Sequence, residues 1–99
     1  MALVTSQELA DELNIDTDDA ELKTVDSLID SATAMIQSSI KLKVTDADIL
    51  AVNEPLYNRL IKTLATSLYY DRELSGGYSK GVMIMLMNLR SEVIGVYDA

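Results

Sequence analysis

Residues 19–40 read DAELKTVDSLIDSATAMIQSSI, and this stretch decides the fold. Leu22, Val25, Leu28, Ile29, Ala32, Ile36 and Ile40 recur at spacings of three and four, so they share one stripe of an α-helix. Lys23, Asp26, Asp30, Thr33 and Gln37 fall on the other side. Just before the stripe, Asp18 or Asp19 can cap the helix, because a carboxylate accepts from free amides and favours the positive end of the helix dipole. The pattern predicts a helix over 19–40.

Upstream, Thr5-Ser6-Gln7-Glu8 has the form of a capping box, with the Thr5 hydroxyl on the Glu8 amide and the Glu8 carboxylate on the Thr5 amide. A short helix over 6–13 follows, with Leu9 and Leu13 on one face. Downstream, residues 41–53 read as a loop with at most one helical turn near 48–51. Pro55 suits the first turn of a third helix over 54–74. Its stripe is Tyr57, Leu60, Ile61, Leu64, Ala65, Leu68 and Tyr69, and Ser75-Gly76-Gly77 breaks it. Residues 82–87 are apolar all round, so periodicity does not separate helix from strand; leucine and methionine favour a helix over 80–91. The tail, 91–99, reads as an extended arm or a frayed end. The expectation is an all-α chain, a compact bundle of about four helices in a single domain.

The chain has 99 residues, 48% of them hydrophobic and 24% charged, the balance of a soluble globular domain. Its longest apolar run falls far short of the ~20 residues of a membrane helix. No basic start with an apolar stretch and cleavage site is seen, so no secretory signal is read. It has no cysteine and no histidine, which removes disulfides, the serine triad, the cysteine–histidine dyad and the usual transition-metal ligands. No catalytic, cofactor or metal residue is assigned, and the chain is not read as an enzyme. The net charge of −8 is confined to the first thirty residues, which hold nine acids and one lysine. Eight scattered basic residues make no patch for duplex DNA. An acidic face keeps a protein soluble, and it also lets DNA slide past without sticking. Asp11, Glu12, Asp18 and Asp19 are the candidate channel face in that second sense.

Three constellations fail as sites. The run from Asp16 to Glu21 lacks the ligands, glycine and closing glutamate of a calcium loop. Asp46 and Asp48 read as loop and capping residues rather than an acid–base pair. Gly76 and Gly81 have phosphate-loop spacing, but Val82 stands where lysine belongs. The fourth segment carries more weight. Met83, Met85 and Met87 interleave with Val82, Ile84 and Leu86, and a helix of a small domain rarely buries its whole circumference. One face meets the second and third helices; the other needs a partner, for which methionine is well suited. With Val93, Ile94 and Val96 of the tail, which can add to a neighbour's sheet edge, these methionines are the candidate subunit interface.

Three blocks resemble the small head–tail connector (adaptor) proteins of tailed phages and prophages. The first is Val4-Thr5-Ser6-Gln7-Glu8-Leu9, an acidic break, and a helix holding Leu28-Ile29-Asp30-Ser31-Ala32. The second is the end of the third helix, where Tyr69 and Arg72 are followed by Glu73. The third is Gly81-Val82, then Leu86 and Arg90, with Ser79 where the family usually has proline. The resemblance spans about residues 3–90. It implies a non-catalytic structural subunit of a ring of about a dozen copies. Such a ring sits at the head–tail junction of the virion, between portal and tail or head-completion proteins, after assembly in the host cytoplasm. DNA passes through it as cargo, and no cofactor or membrane is involved. Tyr69, Arg72, Gly81 and Arg90 are then structural positions. The alternative is an acidic helical adaptor or regulator that binds one protein partner without forming a ring.

Overall fold

The computed structural model describes residues 2–15, 17–41 and 43–97. Four helices follow one another: α1 (Ser6–Leu13), α2 (Asp19–Ile40), α3 (Asp46–Tyr70) and α4 (Lys80–Tyr97). The first two have the expected bounds. Asp18 caps α2, its carboxylate accepting from the Glu21 amide at 2.8 Å. Thr5 caps α1 through the Glu8 amide at 3.2 Å, but the Glu8 carboxylate takes the Thr5 hydroxyl rather than its amide, so the box is half formed.

The complete capping box lies at Thr45 and Asp48, in a stretch expected to be loop with one helical turn near 48–51. The Thr45 hydroxyl accepts from the Asp48 amide and the Asp48 carboxylate from the Thr45 amide. This nucleates a turn of helix eight residues ahead of the expected start. Pro55 then forces a break, since it lacks an amide donor and crowds the carbonyl four residues back. Asn53 absorbs the break with extended backbone (φ −159°, ψ 84°), and its side-chain oxygen caps the second half of α3 on the Leu56 amide. Pro55 thus sits in the first turn of that second half, as the sequence suggests.

α3 stops at Tyr70, short of the expected residue 74. The Asp71 carboxylate takes both the amide and the hydroxyl of Ser75 at 2.8 Å, a local bond that competes with helix continuation. Leu74 turns back with a left-handed φ of 48°, and Gly77 completes the turn at φ 71°. The Ser79 hydroxyl then accepts from the Val82 amide at 3.1 Å and starts α4. α4 is longer than expected: 91–97 continue the helix, neither arm nor frayed end, and 98–99 lie outside the described residues. The reason is burial. Val93, 0% exposed, extends the seam begun by Val82 and Leu89, and this outweighs the low helix propensity of valine and glycine.

The core joins the stripes of α2 and α3 to that seam, with Tyr57, Leu60, Ile61 and Leu64 at its centre. Thr33, expected on the outward side of α2, is buried instead, its hydroxyl returned to the Asp30 carbonyl. α2 packs on α1 and α3, and α4 lies across α3 and α2. The N-terminal segment is strapped to α3 by Asn58, which accepts from the Val4 amide and donates to the Ala2 carbonyl. The molecule measures 44 × 31 × 19 Å. Its short axis is about two helix diameters, so each helix has one face inward and one outward.

Candidate functional site

The fourth helix is where this thin shape meets an apolar sequence. Of its 18 residues, Val82, Leu89 and Val93 are buried. Met85 and Leu86 flank them, half-buried against the core. The rest of the apolar surface faces water: Met83 is 51% exposed, Met87 67%, and Ile84, Val96 and Tyr97 are exposed as well. Ile94 is half-buried and borders them. Of the candidate interface residues, Met83 and Met87 lie open on one flank of the helix with Ile94 at its edge, Val96 is exposed on the other flank near half-buried Met85, and Val93 is withdrawn into the subunit's own core. Arg90 is exposed on the flank of Met83 and Met87. Two polar links fix α4 to α3. The Asn53 side-chain amide donates to both Glu92 carboxylate oxygens at 3.1 and 3.3 Å, and the Tyr97 hydroxyl reaches the Asp48 carbonyl at 3.5 Å.

All four acidic residues of the candidate channel face are exposed. Asp11 accepts from Gln7, and Asp18 is spent on its cap. Asp19 is exposed at the start of α2. Glu12 turns toward α3, where it pairs with Arg59 at 2.8 Å and Lys62 at 3.1 Å. Those two cations hold its carboxyl below the usual glutamate value. Its charge is therefore compensated within the subunit. Asp16 lies outside the described residues. Among the described residues no three acidic side chains converge closely enough to share a metal ion.

Tyr69, half-buried, donates its hydroxyl to Glu21 of α2, and that carboxylate holds the phenol above its ordinary pKa. Its ring meets the exposed ring of Tyr70 edge-on, with centroids 5.1 Å apart. Arg72 is exposed in the turn after α3, and Gly81 is exposed in the first turn of α4 with room for a side chain. Between α1 and α3 an open groove of about 310 Å³ is lined by Leu9, Leu13, Lys62, Thr66 and Ser67. Its cations are paired with Glu12, and its hydroxyls donate to carbonyls one turn back, so it offers little to a ligand.

One polar cluster escaped sequence reasoning. Tyr57, 0% exposed, donates to the Asp46 carboxylate at 2.5 Å, and Gln37 donates to the same oxygen at 2.6 Å. Burial, and then the Asp46 carboxylate, push the Tyr57 phenol far above the ordinary tyrosine value. The signal was the Thr45-x-x-Asp48 box: once it starts a helix, Asp46 enters the first turn and meets Tyr57 eleven residues on. The cluster ties the two halves of α3 to α2 across the kink, which is a structural task.

Comparison of the chain with protein-family models, curated proteins and solved structures returns no match.

Proposed function

We propose that this chain is a structural subunit of a ring-shaped head–tail connector, placed between the portal of a phage capsid and its tail, with DNA passing through the ring during packaging and ejection. The observation that carries the reading is the apolar outward face of α4. The helix packs on α3 and α2 by its other face, yet this one has no cover among the described residues. Contiguous apolar surface of this kind marks an interaction site. A closed ring covers one such face on every copy through a repeated heterologous contact. The blocks around Tyr69, Arg72, Gly81 and Arg90 resemble the connector family; Tyr69 ties α3 to α2 through Glu21, Arg72 is exposed in the turn after α3, and Gly81 and Arg90 are exposed on α4. The role is assembly rather than catalysis, the partners are further copies, a portal protein and a tail or head-completion protein, and the location is the virion.

Native mass spectrometry over a concentration series tests the reading. A closed oligomer of about ten or more copies is the expected result. A chain that stays monomeric, alone and with a portal protein, refutes it and leaves the acidic adaptor with a single foreign partner.

A further inference from the structure

The outer face of α4 has a regular pattern. Met83, Met87, Arg90 and Ile94 follow one another at spacings of four, three and four. They form a second seam, about 100° around the helix from the core seam of Val82, Leu86, Leu89 and Val93. The same spacing occurs on the outer face of α2 in Ser27, Ser31, Ala34 and Ser38, all exposed and opposite the core stripe. One seam is long-chained, the other short-chained, and each runs about 16 Å along its helix. Their charges are complementary. α4 carries Lys80 and Arg90 on its surface, while its one acid, Glu92, is engaged by Asn53. α2 carries exposed Asp19, Asp26 and Asp30 against Lys23, while its Glu21 is taken by Tyr69.

We propose that the outer seam of α4 docks on the outer face of α2 in a second copy of this chain, antiparallel, with Met83 over Ser38, Ile94 over Ser27 and Arg90 beside Asp30. Methionine and isoleucine side chains fill the hollows left by serine and alanine, as knobs enter holes between helices. The antiparallel sense follows from charge, because it sets Arg90 over Ser31 and next to Asp30. The contact is heterologous: each copy gives α4 to one neighbour and α2 to the other, so it propagates around a ring instead of stopping at a dimer. The inference rests on the connector reading and names the two surfaces that build the ring.

The chain has no cysteine, so introduced pairs report cleanly. A Met83→Cys/Ser38→Cys double variant, oxidised at the concentration where native mass spectrometry finds oligomers, is expected to give a covalent ladder beyond the dimer. Met83→Cys/Ser27→Cys, about 16 Å out of register, is expected to give none. Asp30→Arg is expected to abolish assembly with its circular dichroism unchanged, and adding Arg90→Asp to restore it. Oligomers without the first ladder overturn the docking and leave the ring standing. A ladder from the Ser27 pair, or a covalent dimer from Met83→Cys alone, overturns the antiparallel heterologous contact. Monomers at every concentration, alone and with a portal protein, overturn docking and ring together.

Discussion

Replacing Tyr57 with phenylalanine removes one oxygen from the most enclosed polar contact in the molecule. The ring stays, so no cavity forms and the packing of α3 is kept. What is lost is a hydroxyl donated to a carboxylate, a class of bond that contributes about 1.5–3 kcal/mol. Asp46 is half-buried and keeps the Gln37 amide, so its remaining oxygen is hydrated and the loss falls at the low end, about 1.5–2 kcal/mol. At roughly 4–8 °C per kcal/mol for a domain of this size, the midpoint falls by roughly 6–16 °C. The loss also depends on pH. The folded phenol titrates far above the unfolded one, so its stabilisation is complete below the unfolded value of about 10. Above that value the unfolded chain loses the proton and the folded chain keeps it, so stability falls by about 1.4 kcal/mol per pH unit. The advantage of the parent chain over Tyr57→Phe therefore shrinks to a fraction of its neutral value by about pH 11. Urea unfolding at a series of pH values, followed by circular dichroism, measures both effects. A neutral-pH difference under about 0.5 kcal/mol, or a difference that stays constant through alkaline pH, refutes the assignment of Tyr57 as a buried donor to Asp46.

Leu89→Ala, in the core seam of α4, is expected to cost about 2–5 kcal/mol in urea unfolding, whereas Met87→Ala on the outer seam changes monomer stability by no more than about 0.5 kcal/mol. A chain ending at Arg90 loses Val93 from the core and the Glu92 tie to Asn53, so its unfolding midpoint falls along with any loss of assembly; an unchanged midpoint makes 91–97 a dispensable tail. Thr45→Ala is expected to cost about 1 kcal/mol through the lost cap, and hydrogen exchange then rises selectively ahead of Asn53. Glu12→Gln is expected to cost less than about 1 kcal/mol at low salt and nothing measurable at high salt, as for an exposed ion pair. Since its carboxyl is held low in the folded state, that contribution is present above the ordinary glutamate pKa and disappears as pH falls through the lowered one. Asp11→Asn, Asp18→Asn and Asp19→Asn together, which leave the Glu12 ion pairs intact, raise the DNA affinity of the assembled ring if those acids face its channel; an unchanged affinity places them outside.

The periodicity of residues 19–40 was enough to determine α2, its bounds and its buried stripe, because one long amphipathic pattern satisfies only one secondary structure. The stripe of α3 from Tyr57 to Leu68 and the absence of histidine and cysteine chemistry were equally legible. Local bonds that the sequence only hints at decided other boundaries: the Thr45–Asp48 box drew α3 forward, and Asp71 with Ser75 cut it short. Tertiary structure decided the rest. Valine and glycine in 91–97 argue weakly against helix, and only the pocket that buries Val93 overrides them. Sequence places Met83, Met85, Met87 and Val93 together as apolar residues near one end of the chain. The fold separates them by angle, turning Val93 inward with Leu89 and leaving Met83 and Met87 in water, because a slab two helices thick has an inside for one seam of α4 and none for the other.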